Sequence, residues 1–347
     1  MLVDKEIPFT PLEKLGEFGL IERIAKNFLP KYTNTIKGIG DDAAVLACDE
    51  QFYYLVSTDM LIEGVHFDLS YTPLKHLGWK AVVVNLSDIY AMNGIPTAVT
   101  IGLGVNNRFS VEAIDEFYTG VEFACRTFAV DLVGGDTTTT RNSMCISVTA
   151  IGKVEKNQIV YRNGAQKNDL ICVTGDLGAA YAGLRILERE KQVFLENPNI
   201  QPDLAEYDYV VGRQLKPHAQ VELISWFRQN SFKPTSMIDI SDGLASEILH
   251  ICQQSKVGAR IMEDKIPIDI QTQKVAMEFK IDTVTFAFNG GEDYEMLFTA
   301  PVTAHDIVKK IPNVSIIGYI TDSSEGVNLL SKQGSLVPIQ AQGWKHF

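Results

Sequence analysis

Gly38-Ile-Gly-Asp-Asp-Ala-Ala-Val45 is the stretch from which the rest of the chain is read. Its two glycines permit a tight backbone turn. Two adjacent carboxylates, Asp41 and Asp42, follow, and then small apolar residues that suit a core. Neighbouring carboxylates repel, and a pair held beside a core generally needs a cation. Further acids recur in similar settings: Asp59 in Ser57-Thr-Asp59, Asp88 in Asn85-Leu-Ser-Asp88, Asp136 in Gly134-Gly-Asp136, and Asp239 with Asp242 in Asp239-Ile-Ser-Asp-Gly243. Each falls at a strand end, at a glycine turn or on an apolar helix. The pattern predicts that they fold into one oxygen-rich site for hard divalent ions.

Mg²⁺ takes oxygen ligands and keeps several waters. Asp42, Asp59, Asp88, Asp136 and Asp239 offer that kind of shell, and Ser57 and Thr58 can add hydroxyl or carbonyl oxygens. Taken singly, each aspartate also reads as a helix cap or turn acid. Five together, all after apolar strands or on one helix, favour the shared site. No GxxxxGK[ST] is present, which excludes a P-loop as the phosphate cradle. Gly134-Gly-Asp136 offers backbone N–H groups to a phosphate or is an ordinary tight turn. His66 reads as a structural hydrogen-bonder or a catalyst. Arg162 reads as a phosphate partner or a solvated loop cation, and Trp344 as a stacking platform or a plug at a domain edge.

The 347 residues suffice for two domains with sizeable cores. A formal net charge of -12 argues against a broad nucleic-acid footprint. It leaves room for a phosphorylated ligand if metal ions stand between the two. Cys48, Cys125, Cys145, Cys172 and Cys252 are scattered and form no CxxC, the pattern of reduced thiols in a cytoplasmic protein. No run reaches transmembrane length, and Met1 to Pro8 carries no apolar signal core.

Residues 1–13 read as an extension, and periodicity predicts helices over 15–28, 74–92, 111–128, 220–230 and 244–255. Strands are expected over 36–46 (with the Gly-Asp-Asp turn inside), 53–59, 96–105, 145–154 and 285–289, with 131–140 a strand running into a loop, 236–243 strand-to-turn, and 316–320 followed by a tail at the end. Gly64 to Phe67 reads as a turn or short strand. Residues 169–187 read as strand, glycine turn and helix, and the polar segment 188–217 as an insertion with partial helix. Strands and helices alternate in both halves. The expectation is an N-terminal α/β domain over 1–151 and a C-terminal α/β domain of related plan over 152–347.

In this order the motifs resemble the thiamine-monophosphate kinase family, within the superfamily of aminoimidazole-ribonucleotide synthetase and selenophosphate synthetase. The matching pieces are Gly16-Glu-Phe-Gly-Leu-Ile21, Gly38-Ile-Gly-Asp-Asp42, Ser57-Thr-Asp59, Gly64-Val-His-Phe67, Asn85-Leu-Ser-Asp88, Gly134-Gly-Asp-Thr137, Arg162-Asn-Gly164, Asp239-Ile-Ser-Asp-Gly243, Gly290-Gly-Glu-Asp-Tyr-Glu295 and the terminal Gly343-Trp-Lys-His-Phe347. Lys345 stands where the family often has an acid. The resemblance implies a two-domain aminoimidazole-ribonucleotide-synthetase-like fold whose N-terminal sheet pairs with that of a second subunit in a homodimer. It implies transfer of the ATP γ-phosphate to thiamine monophosphate, giving thiamine diphosphate and ADP. Several Mg²⁺ ions would be held by Asp42, Ser57, Thr58, Asp59, Asp88, Asp136, Asp239 and Asp242. Tyr118, Gly135, Asp136, Arg162 and Ser241 would contact ATP, and His66, Glu292 and Trp344 the thiamine side. No residue is expected to act as a covalent nucleophile. A selenophosphate synthetase would carry a reactive Cys near its N-terminus, and no Cys precedes Cys48. A hydrogenase-maturation relative would end in Cys, and this chain ends in Phe347. A non-catalytic metal- or nucleotide-binding module is the alternative of another class.

Overall fold

The computed structural model describes residues 11–199 and 201–341, so Trp344 and the terminal motif lie outside the described residues. Helix α1 (Gly16–Ala25) precedes strands β1 (Thr35–Lys37), β2 (Ala44–Ala47) and β3 (Phe52–Ile62). Then come α2 (Leu74–Ala91), β4 (Ile95–Val105), α3 (Val111–Phe128), β5 (Asp131–Thr139) and β6 (Cys145–Glu155). The second half holds β7 (Leu170–Thr174), α4 (Ala179–Glu196), α5 (Asp208–Leu215), α6 (Val221–Gln229), β8 (Ser236–Asp239), α7 (Leu244–Ser255) and β9 (Gly258–Met262). It continues through α8 (Ile270–Phe279), α9 (Thr283–Asn289), β10 (Met296–Ala300), α10 (His305–Val308), β11 (Val314–Thr321), β12 (Val327–Leu330) and β13 (Leu336–Pro338).

Among the described residues the first sheet has the order β1-β2-β3-β6-β4-β5, and its β4/β5 pair is parallel while the others are antiparallel. Along β6 alternate residues are buried, because α2 packs against one face of this sheet. Helices α2 and α3 approach closely: a Cβ on Gly78 would stand 2.0 Å from the Phe117 carbonyl oxygen, and one on Gly120 1.9 Å from that of Lys75. Strand β5 is an edge strand, exposed at every position. Among the described residues the second sheet runs β13-β12-β9-β11-β7-β10-β8, with β9/β12 parallel and the other pairs antiparallel. Its strands β7, β8 and β10 are buried throughout. One apolar cluster joins the halves, from Val45 and Leu86 through Phe227 to Phe298. Burial of α2 on nearly all sides explains its weak amphipathic pattern.

Several expectations need correction. Residues 283–289 are helix α9 rather than a strand: the Asp282 side chain accepts from the Val284 amide at 2.8 Å and starts the helix despite its β-branched and aromatic residues. Segment 188–217 holds the partial helix expected of it, with α4 continuing to Glu196 and α5 covering 208–215. Strand β6 runs through residues 151 and 152 to Glu155. Strands β9, β12 and β13 and helix α8 carry no strong pattern and go unread in the sequence.

Candidate active site

A cleft of about 2000 Å³ lies between the two sheets. Small-molecule sites usually span about 300–1,000 Å³, so this one can hold two ligands side by side. The 38–43 turn brings Asp41 and Asp42 into it, β3 brings Ser57 and Asp59, α2 brings Lys80 and Asp88, and the end of β8 brings Asp239, Ser241 and Asp242.

At its floor, Asp42, Asp88 and Asp239 each offer a carboxylate oxygen, and these oxygens lie within 4.8 Å of one another. Each acid is held from behind. Arg162 donates to Asp42 Oδ1 from Nη2 at 2.7 Å and Nε at 3.1 Å. Ser57 donates to Asp88, and Ser87 to Asp239 Oδ2 at 2.7 Å. The Asp59 amide donates to Asn85 Oδ1 at 3.0 Å. Thr58 faces the other side of the sheet, where its hydroxyl meets Thr149 Oγ1 at 3.0 Å and the Val148 carbonyl. That leaves its backbone carbonyl as the oxygen it can offer the cluster.

Burial pushes Asp42 up to about 7 although Arg162 opposes the shift, and Asp239 up to about 6. Asp88 is raised by burial and then by Asp59, Asp239 and Asp42. Asp42 Oδ2 is buried with no hydrogen-bond partner. An all-oxygen cluster with an orphaned, raised carboxylate fits a hard divalent cation. The cation would displace protons. Its affinity should therefore rise with pH across about 6–7, with proton release on binding. Without it, the folded carboxylates ionise later than the unfolded ones, so stability should fall as pH rises from near 4 to near 7. Calorimetric Mg²⁺ titrations at pH 6 and pH 8 in buffers of different ionisation enthalpy check this; pH-independent affinity would sink it.

The cleft's other wall is α4, which presents Tyr181, Arg185, Glu188 and Gln192 at helical spacing. Lys191 of this helix pairs with Asp68, tying it to the loop that carries His66. His66 lines the cleft, and its Nδ1 accepts from the Ile62 amide at 3.0 Å, which places a neutral ring's proton on Nε2. Glu292 lines the cleft at φ 58°. Lys80 Nζ pairs with its Oε1 at 2.8 Å, and Gln214 Nε2 donates to its Oε2 at 2.6 Å.

The chain thus brings Asp42, Ser57, Asp59, Asp88, Asp239, Asp242, Arg162, Ser241, His66 and Glu292 to one cleft. It does not bring Tyr118, Gly135 or Asp136 there. Tyr118 packs on the core from α3. Asp59, Val148, Ile101 and Gly135 are successive register partners across β3, β6, β4 and β5. Three strand spacings of about 4.8 Å put Gly135 roughly 14 Å from Asp59. Lys80, Gln214 and Glu247 were not expected here. Lys80, Val84 and Asp88 share one face of α2, a spacing visible in the sequence. Glu247 Oε1 accepts from the Asp242 and Ser241 amides at 2.8 and 3.2 Å and fixes the turn after Asp239.

Comparison with known proteins identifies the family. The family described as AIR synthase related protein, N-terminal domain, matches residues 40–154, and its C-terminal counterpart matches 166–329. Thiamine-monophosphate kinase of Bacillus subtilis (strain 168) is 32% identical over 339 residues, spanning 96% of this chain and 100% of that protein. The same-named protein of Buchnera aphidicola subsp. Schizaphis graminum is 36% identical over 338 residues, spanning 96% and 99%. The solved structure of AaThiL complexed with AMPPCP and TMP superposes with a TM-score of 0.82 at 32% identity, covering 98% of this chain and 99% of that one. Full-length likeness at this identity, together with two matched domains, shows that the chain belongs to the thiamine-monophosphate kinase family of AIR synthase related proteins.

Proposed function

We infer that this chain transfers the γ-phosphate of ATP to thiamine monophosphate, giving thiamine diphosphate and ADP. The observation that carries this reading is the cleft: it has room for two ligands and a carboxylate triad at its floor, in a chain that matches a kinase solved with AMPPCP and TMP over 98% of its length. The acceptor needs no strong base, because a phosphate monoester with a second pKa of about 6 is already anionic near neutrality. Its oxygen forms a bond to the γ-phosphorus as the bond to the β–γ bridging oxygen breaks, and ADP leaves with that electron pair. His66 does not suit a phosphate carrier, since Nδ1 is occupied by the Ile62 amide and Nε2 holds the proton. It suits a donor to the acceptor. Glu292, fixed by Lys80 and Gln214, suits a hydrogen-bond acceptor for the thiamine moiety, and Ser241 and Arg162 suit the ATP side.

Mg²⁺ held by Asp42, Ser57, Thr58, Asp59, Asp88, Asp239 and Asp242 would supply charge that offsets the repulsion between two phosphorylated substrates. The chain's own part is to hold those oxygens in place and align the reactants.

Transfer from γ-labelled ATP to thiamine monophosphate tests the reading, with inversion expected when the γ-phosphorus is chiral. Labelled protein in the absence of acceptor, or retention of configuration, would refute direct transfer.

Gly135 and Asp136 lie on an exposed edge strand that also displays Leu132 and Val133. We assign that edge to pairing with the same edge of a second copy, which is the arrangement in which Tyr118, Gly135 and Asp136 would serve an ATP and metal site. Sedimentation equilibrium should give twice the chain mass, and a single-chain mass would exclude the homodimer. We propose that the domains divide after β6, in the 156–165 link. No helix among the described residues is long and apolar enough to cross a membrane. The five free cysteines fit a cytoplasmic setting, which cell fractionation would check.

A further inference from the structure

We propose that the Tyr294 hydroxyl is a hydrogen-bond donor to a phosphate oxygen of the acceptor substrate, placed where the acceptor meets the carboxylate cluster. This rests on the kinase reading given above. The segment Gly290–Glu295 links α9 to β10 and is stitched onto the turn after Asp239. Ile240 N donates to the Glu295 carbonyl at 2.7 Å, Tyr294 N to the Ile240 carbonyl at 2.9 Å, and Glu292 N to the Ser241 carbonyl at 2.6 Å. Two of its acids point away from the cleft and anchor it. Asp293 accepts from the Gly178 and Ala180 amides at 2.6 and 3.2 Å, at the start of α4. Glu295 pairs with Arg213 at 3.0 Å and accepts from Gln220 at 2.7 Å.

Between those anchors, Glu292 and Tyr294 turn into the cleft with φ of 58° and 52°. An aromatic side chain in the left-handed region is strained, and such strain persists only where the surroundings over-determine it. Here they do, and the result is a tyrosine ring set against the acidic floor. The ring is 8% exposed and lines the cleft. Glu292, Asp59, Asp239 and Asp88 all act on it electrostatically, and with burial they hold the phenol protonated. A neutral donor suits this place. A lysine or arginine would cancel the negative charge that draws cations to the cluster, whereas a phenol can meet a phosphate oxygen and leave that charge intact. Glu292, held by Lys80 and Gln214, is the first of the charged groups that act on Tyr294, and Arg162 is paired with Asp42. The donor is therefore assigned to the acceptor and not to ATP.

Tyr294→Phe keeps the ring and removes the donor. In the full-length protein with Mg²⁺, the KM and the calorimetric Kd for thiamine monophosphate should rise about 10–100-fold, the loss expected on deleting a hydrogen bond to a charged group. The KM for ATP and the Tm should stay as in wild type. Unchanged KM and Kd for thiamine monophosphate would overturn the donor. Equal losses for both substrates with a lowered Tm would overturn it too, by making Tyr294 a packing residue. A wild-type protein that binds thiamine monophosphate without phosphorylating it would overturn the kinase reading alone, and the Kd comparison would still decide the donor. Absence of wild-type binding would overturn both.

Discussion

Asp88→Asn is expected to lower kcat/KM for phosphate transfer by about 10³-fold or more while raising the Tm of the Mg²⁺-free chain. The two effects share one cause. Asp88 is surrounded by Asp59, Asp239 and Asp42, and burial with that repulsion raises its proton affinity. An amide removes the repulsion and still accepts the hydrogen bond from Ser57. The fold gains, and the site loses one of the three carboxylates that converge within 4.8 Å. A transfer assay and a scanning melt on the same preparation check both. Activity within a few-fold of wild type would remove Asp88 from the shared site. A lowered Tm would mean that the carboxylate serves the fold instead.

That opposition explains why the acids were readable from sequence. Charges that oppose stability stand out against the apolar context of Ser57-Thr-Asp59 and Asp239-Ile-Ser-Asp242, and the structure brings all of these to one cleft. Helices α3 and α7 were legible to their ends because local signals set them, such as the Ser110 side chain accepting from the Ala113 amide. Strand order was not legible. Strand β6 inserts between β3 and β4 and leaves Asp136 on an edge, although its motif looks like those of the cleft acids. Nothing local in Gly134-Gly-Asp136 records that placement. Residues 283–289 misled because one cap at Asp282 outweighs seven residues of strand-like composition. Tyr294 was hidden for a different reason: its left-handed backbone is imposed by anchors on α4 and α5 that are distant in sequence.

Those anchors meet at Arg213, and Arg213→Met should destabilise the protein by about 3–5 kcal/mol, the usual cost of leaving buried carboxylates unpaired. For a chain of this size that is a Tm loss of roughly 4–7 °C. Arg213 sits 3.0 Å from Glu295, 3.7 Å from Asp176 and 3.9 Å from Asp293, and it donates to the Asp176 carbonyl at 3.2 Å. Methionine preserves much of its volume and none of its charge. The loss should depend on pH. Burial already lifts Asp293 to about 7 with Arg213 in place, and Glu295 is raised as well. Without the guanidinium both rise further, so the folded variant keeps protons that the unfolded chain releases near pH 4. Its stability should then fall steadily as pH rises toward 7 and beyond. The deficit relative to wild type should be small at pH 5 and large at pH 8, with Arg213→Lys intermediate. Since Glu295 and Asp293 hold the loop that presents Glu292 and Tyr294, the variant should also bind thiamine monophosphate more weakly than ATP, each compared with wild type. A deficit equal at pH 5 and pH 8, read from melts in matched buffers, would show that Arg213 contributes packing rather than charge. It would also leave the strained Tyr294 backbone without the anchor proposed for it.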